Sequence, residues 1–275
     1  ASLISGEVDI LAGTGDAVPS DSMTQLANTP GIRLISQTAL GVTSIVFCQR
    51  VAPMEDVRVR QAIAHAIDRE KILAFALDGR GQVATSPLGS QFLHYNPGTA
   101  DTAQAYDPDR ARALLAEAGI TGGLELTYIG PDDTAARIIA ESIQADLAAV
   151  GISLRIDSFP TAEFAALRGQ DRYHFVYHAY SYSDADILRQ MMASTSPISY
   201  ARHSNARIDE LAEAQGVAFD QSEREALLFE LQEIAVEEVI WLPLVERQIS
   251  LAMRDNVHAA MAAAGTLNLT DVWKS

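Results

Sequence analysis

The sequence predicts an α/β fold, and three observations support this prediction. Residues 124–128 and 152–156 alternate apolar and polar side chains in the manner of strands. Between them, residues 138–150 carry an apolar stripe with helical spacing, which Gly151 ends. Strand, helix and strand in this order predict a parallel pair joined by a right-handed crossover. The chain has 275 residues, 48% of them hydrophobic, which is enough for a sizeable core.

Two strands are predicted before the first long helix, at residues 32–34 and 43–48, and the second is rich in β-branched residues. This second strand ends at Cys48, the only cysteine of the sequence. A single cysteine excludes an internal disulfide and a cysteine-based metal cluster. Its apolar neighbours favour a small buried side chain over a nucleophile.

A pair of helices is predicted over residues 53–79. Asp56 is a favourable N-cap for the first helix, which carries its apolar residues on one stripe. Asp68 can cap the second helix, and Gly79 ends it at a position that favours a left-handed residue. The two helices should therefore meet at a corner and pack on one side.

A long segment with little periodicity follows at residues 80–106, and segments of this size are usually functional or disordered. Its aromatic residues indicate packing. Asp107 and Pro108 then start a helix that Gly119 ends. Thr161 is expected to cap a short helix, and residues 173–180 to form a strand.

Near the end of the chain, Ser222 and Glu225 form a possible capping box for a long helix.

The sequence carries no pattern of a common catalytic site, such as GxSxG, HExxH, a P-loop or GxGxxG. His174 and His178 could bind a metal, but no carboxylate or cysteine stands at ligand spacing beside them, which favours structural histidines. Asp184 and Asp186 could act as an acid/base pair, but both stand where a helix is predicted to start, a position that favours aspartate. A small metal-dependent or hydrolase-like enzyme that uses these four residues is the alternative interpretation.

The formal net charge is −16, which argues against nucleic acid or an anionic membrane as a partner. No apolar run is long enough to span a bilayer, and the first residues lack a basic flank. We therefore expect neither a transmembrane helix nor a signal peptide in this chain, and the sequence suggests no cofactor.

Several segments resemble the extracytoplasmic solute-binding proteins of the dipeptide/oligopeptide family (solute-binding family 5), which serve ABC importers of peptides, nickel and opines. Residues 56–69 match D-x-R-V-R-Q-A-I-x-x-A-I-D-R, and residues 106–119 match Y-D-P-x-x-A-x-x-L-L-A-E-A-G. Residues 3–10 match L-x-x-G-E-V-D-I, and residues 240–244 are similar to a w-i-P-L strand. The resemblance runs through nearly the whole chain.

In family members the segment matched by residues 3–10 lies far from the start. The resemblance therefore implies a second (C-terminal) lobe of a type II-like periplasmic-binding-protein fold, with strands left over from the first lobe. It divides the chain into a first-lobe remnant with a hinge strand (1–46), the α/β second lobe (47–245) and a return segment (246–275). Because the two outer segments would lack partner strands, we expect either disorder there or self-association with another copy.

The resemblance also implies a periplasmic protein, not an enzyme, that delivers a small solute to ABC permease subunits. The solute could be a peptide, an opine, a sugar-like compound or a metal chelate, bound when two lobes close. The family pattern G-D-x-x-D-P-x-x-x-L has an ammonium-binding Asp at its first acidic position. Ser181 takes that position here, Asp184 takes the second, and Ala185 replaces the proline.

A hydroxyl is a weaker partner for an ammonium group than a carboxylate is, so recognition of a peptide N-terminus in the usual manner is not expected. The aromatic residues beside Ser181 could still line a cleft. The predicted ligand-binding residues are His178, Tyr180, Ser181, Tyr182, Asp184 and Phe159. No metal ligands are predicted.

Overall fold

The computed structural model of the protein describes residues 2–11, 20–180, 182–262 and 267–275. Its strands are β1 (Ile10–Leu11), β2 (Ile32–Phe47), β3 (Gly81–Val83), β4 (Leu124–Pro131), β5 (Ile152–Phe159), β6 (Phe175–Ala179), β7 (Trp241–Arg254), β8 (Val257–His258) and β9 (Trp273–Lys274). Its helices are α1 (Ser2–Ser5), α2 (Ser20–Ala27), α3 (Val57–Ala66), α4 (Arg69–Ala76), α5 (Thr99–Thr102), α6 (Pro108–Glu117), α7 (Thr134–Ala148), α8 (Thr161–Leu167), α9 (Ile187–Met192), α10 (Ala206–Val217) and α11 (Gln221–Glu237), with a 3-10 helix at Leu269–Asp271.

A seven-stranded mixed sheet organises the described residues. Its strand order is β1-β7-β2-β6-β4-β5, and β3 pairs with another part of β7. β4 is parallel to both β5 and β6, whereas the other pairs of this sheet are antiparallel. The predicted strand, helix and strand are β4, α7 and β5, so the α/β prediction is confirmed.

The two longest strands, β2 and β7, pair with each other along most of their length. The sequence predicts separate strands at residues 32–34 and 43–48, but β2 is one strand of 16 residues, with a register shift against β7 between Thr38 and Val42. Its first part pairs with residues 248–254 of β7, and β1 pairs with the same part of β7. The expectation that the outer segments lack partner strands is therefore wrong, because they pair with each other.

The predicted division at residues 46/47 and 245/246 falls inside these two strands. The division itself stays a prediction, and so does self-association.

Apolar residues fill both faces of the sheet. The largest cluster packs α3, α4, α6 and α7 against the sheet around Phe47, Tyr128 and Phe175. A second cluster joins α9, α10 and α11 to Val46 and Trp241. Two small clusters lie at the outer part of the β2 and β7 pair, one with Leu3 and Met23 and one with Met253 and Val257. The bulk of the core therefore lies at the inner part of the sheet.

The arginines of the segment 56–69 have a structural task. Arg60 is only 2% exposed and donates to the backbone carbonyls of Met54, Glu55, Glu238 and Val239. Arg69 donates to the carbonyls of Ala84 and Gln104. Desolvation by burial lowers the pKa of Arg60 to about 10, which leaves it charged at neutral pH. These arginines join α3 and α4 to distant chain segments.

Aspartate caps set most of the helix starts that the sequence indicates. The Asp56 carboxylate accepts from the Arg58 N–H, and that of Asp68 accepts from the Lys71 N–H, as predicted. The long helix α11 begins differently, because Asp220 and not Ser222 is its N-cap and accepts from the Glu223 N–H. Thr161 likewise follows the N-cap of α8, which is Pro160.

Candidate functional site

Three parallel strands end at the same edge of the sheet, and an open pocket of about 510 Å³ lies there. Pro131 at the end of β4 and Ala179 at the end of β6 form part of its lining. Thr161 and Phe164 of α8, the helix that follows β5, form another part. In open α/β sheets, ligands bind outside the carboxyl ends of the strands, which makes this pocket the candidate site.

The charged side chains of this pocket are Arg168, Arg247 and Asp133. Asp133 is the N-cap of α7, and its carboxylate accepts from the Ala136 N–H at 2.9 Å. One of its two carboxylate oxygens is thus already occupied at the helix start. The two arginines leave the lining with an excess of positive charge in a protein whose net charge is −16.

Two aromatic rings hold Arg168. Its guanidinium carbon lies 4.9 Å from the centroid of Tyr200 and 5.8 Å from that of Phe164. The Nε atom is buried, and within the described ranges it has no hydrogen-bond partner. Cation–π contacts orient an arginine without neutralising it, so this charge remains available to a ligand.

His178 lies on the opposite side of β6 from this pocket. Its ring packs at 4.7 Å from Trp241 and 5.9 Å from Tyr200, and the residue is 6% exposed. Burial lowers its pKa to about 3, and the charge of Arg168 adds to this lowering. Because side chains alternate along a strand, Tyr177 and Ala179 line the pocket while His178 points away from it.

None of the other predicted residues that the structure describes belongs to the lining of this pocket. Tyr180 is half-buried, its hydroxyl donates to the Pro87 carbonyl, and its ring stands 6.4 Å from Phe92. Tyr182 is 44% exposed. Phe159 ends β5 and packs against the main core. Ser181 lies outside the described residues. Ligand binding by these residues stays a prediction.

The four residues of the alternative interpretation are each held by other contacts. His174 Nδ1 accepts from the Thr127 N–H at 2.9 Å, and Nε2 bonds to the Ala52 carbonyl. Asp184 accepts from Arg224 and from the Asp186 N–H, and the hydrogen bond from Arg224 is the main cause of its lowered pKa.

Asp186 pairs with Arg189 and accepts from Gln215. No group of three or more potential metal ligands occurs among the residues that the structure describes.

Sequence reasoning missed Arg168 and Arg247, as well as the pocket residues Asp133, Thr161 and Phe164. A signal was present: the segments that follow the predicted parallel strands hold Asp133 and Thr161, and such segments gather at one sheet edge. Arg168 lies at the end of α8, and Arg247 lies in β7, about 80 residues further along the chain. No spacing in the sequence connects these two arginines.

Comparison with solved structures identifies the fold as that of the periplasmic binding proteins. The chain matches HbpA2 from Haemophilus parasuis with a TM-score of 0.86 and 23% identity, over 100% of this chain and 55% of that one. It matches NikA from Brucella suis in complex with Fe(III)-EDTA with a TM-score of 0.87 and 20% identity, over 100% and 59%. The predicted fold class, a lobe of this fold with first-lobe strands, is confirmed.

The family described as "Bacterial extracellular solute-binding proteins, family 5 Middle" matches residues 1–200, and the chain belongs to this family. It is 29% identical over 248 residues to Di/tripeptide-binding protein 2 of Pseudomonas aeruginosa, covering 86% of this chain and 46% of that protein. It is 30% identical over 247 residues to Heme-binding protein A of Haemophilus influenzae, covering 85% and 45%. The chain thus spans about half the length of these relatives. The resemblance stated above is confirmed.

Proposed function

We propose that this chain is part of the extracytoplasmic solute-binding component of an ABC importer, and that its solute binds in the pocket at the carboxyl ends of β4, β5 and β6. The observation that carries the proposal is the position of this pocket at the strand ends, in a member of a solute-binding family. The partners are then a small solute and the permease subunits. The protein acts outside the cytoplasm and performs no chemistry on its solute. No helix among the described residues is long and apolar enough to cross a membrane.

The mechanism proposed for solute capture is closure of this lobe on a second one. β2 and β7 are long, continuous strands that carry small apolar clusters at their outer part and the main core at their inner part. A hinge in these strands would let contacts made only in the closed form shift the population. Since one lobe supplies only part of those contacts, this chain alone should bind its solute weakly.

The experiment is a nuclear magnetic resonance titration of the isotope-labelled chain with dialanine, glutathione and a nickel–citrate chelate. Relatives of this chain are named as binding di- and tripeptides, nickel and glutathione, which makes these three the first compounds to compare. At least one of them should shift resonances around Ala179 and Thr161. Ala179→Trp, which fills the pocket, should abolish the shifts without unfolding the chain.

Shifts confined to other surfaces, or shifts that survive Ala179→Trp, would contradict the proposed site. Binding tighter than micromolar by this chain alone would contradict the division of contacts between two lobes.

The resemblance alone supports an expectation about Ser181. If Ser181 stands at the position of the ammonium-binding carboxylate, Ser181→Asp in a full-length form with both lobes should strengthen binding of solutes with a free amino group by roughly tenfold to hundredfold. An unchanged preference between amino-bearing and amino-free solutes would overturn the assignment.

A further inference from the structure

We propose that the pocket selects a solute with a carboxylate or phosphate group, and that Arg168 is the residue that binds this anionic group. The inference rests on the proposed function, because it names the chemical class of the solute at the same site. Arg247 lies in the same lining and adds a second positive charge.

The first support is the contrast between Arg168 and most other arginines of the chain. Arg58, Arg110 and Arg207 all pair with carboxylates at 2.6–2.9 Å. Arg168 has no carboxylate partner among the described residues, although the protein carries 36 acidic and 20 basic residues. In so acidic a protein, an arginine that lines a pocket and has no carboxylate partner can pair with an anionic group of a ligand.

The second support is the way in which the guanidinium is positioned. Phe164 and Tyr200 lie against it and are themselves 6% and 5% exposed, so the arginine rests on a rigid apolar surface. Nε is buried without an acceptor, which costs free energy in the structure as it stands. A guanidinium presents its donors in a planar fork, which matches a carboxylate or a phosphate.

The third support is the rest of the lining. Asp133 is the one carboxylate among the described residues of the lining, and this group already accepts the Ala136 N–H. An ammonium group would therefore meet two positive charges and a carboxylate that caps a helix. A carboxylate or phosphate would meet two positive charges, with Arg168 as the donor.

The test uses three short glycine peptides that differ in charge: N-acetylglycylglycine, which is an anion, glycylglycylglycinamide, which is a cation of similar size, and N-acetylglycylglycinamide, which is neutral. Each is titrated into the labelled chain, and the pocket resonances and the Arg168 Nε–H resonance are followed. We expect the anion to bind at least roughly tenfold more tightly than the other two.

Substitutions separate charge from packing. Arg168→Met keeps a long apolar side chain over the rings and should weaken binding of the anion by roughly tenfold to hundredfold. Arg168→Lys keeps the charge and should retain more of the binding. Arg110→Met removes an exposed arginine of α6 that pairs with Glu117, and it should change nothing. Circular dichroism and urea unfolding confirm that each variant is folded.

The outcomes distinguish this inference from the proposed function. If all three probes bind equally, Arg168→Met has no effect and Ala179→Trp abolishes binding, the pocket is a solute site and the anionic class is wrong. If the cation binds best, the anionic class is also wrong. If no probe shifts the pocket resonances at millimolar concentration, or Ala179→Trp leaves binding intact, both proposals fail.

Discussion

Replacing Arg60 by methionine tests the structural interpretation of the segment that the family shares. The Arg60 Nη1–Met54 O and Nη2–Glu238 O distances are both 2.7 Å, and Nε donates to Glu238 O at 2.9 Å. A buried group that loses its partner costs about 1–3 kcal/mol, so two such carbonyls predict a loss of about 2–6 kcal/mol in the free energy of unfolding. Glu238 is the C-cap of α11, so the variant should also loosen the connection from α11 to β7.

Urea unfolding followed by circular dichroism measures this loss, and Arg58→Met is the matched control in the same helix. The Arg58 side chain is 46% exposed, pairs with Asp56 and donates to the Glu117 carbonyl at an exposed site, so its removal should cost no more than about 1 kcal/mol. Arg60→Lys keeps the charge but has one nitrogen in place of three, and its stability should fall between the wild type and Arg60→Met. A cost for Arg60→Met within 1 kcal/mol of that for Arg58→Met would refute the reasoning.

Three further predictions concern other buried groups. Because burial lowers the pKa of His178 from 6.5 to about 3, the unfolded chain takes up a proton below pH 6.5 that the folded chain does not. The free energy of unfolding should fall by up to about 1.4 kcal/mol per pH unit between these values, and His178→Phe should remove that slope; equal slopes in urea unfolding at several pH values would contradict this. Gly130→Ala places a Cβ 2.5 Å from Tyr128 Oη and should cost about 1–3 kcal/mol, part of which Tyr128→Phe recovers; additive effects of the two changes would argue against the contact. Asp146 is 7% exposed, pairs with Lys71 and accepts the N–H of the residue that caps α4, so Asp146→Asn should cost about 2–3 kcal/mol in thermal or urea unfolding.

The local signals of the sequence located most of the elements. Asp56, Asp68 and Asp107 cap helices where the pattern predicts them, because an N-cap satisfies the backbone N–H groups of its own first turn. The same locality explains the error at α11, where Asp220 and Ser222 are both acceptable caps and the sequence does not choose between them. Boundaries of this kind depend on which turn packs better.

The partners of the long strands are not a local property. Residues 32–38 pair with residues 248–254, which lie more than 200 positions away. Because a local sequence pattern does not identify the partner of a strand, the pairing of the outer segments could not be predicted. The candidate site shows the same limit at smaller scale. The sequence predicts the β6 strand, but only the structure shows that Tyr177 and Ala179 line the pocket whereas His178 packs against Trp241. Ligand binding by His178 stays a prediction.

By itself the sequence determined the α/β class, most of the helix caps and the family, because each of these depends on residues close together in the chain. Tertiary structure alone decided that Arg168 and Arg247 share one pocket with Asp133, and that Arg60 serves the end of α11. These are contacts between segments that lie far apart in the sequence. They are set by how the sheet orders its strands and where its parallel strands end, which no local pattern specifies.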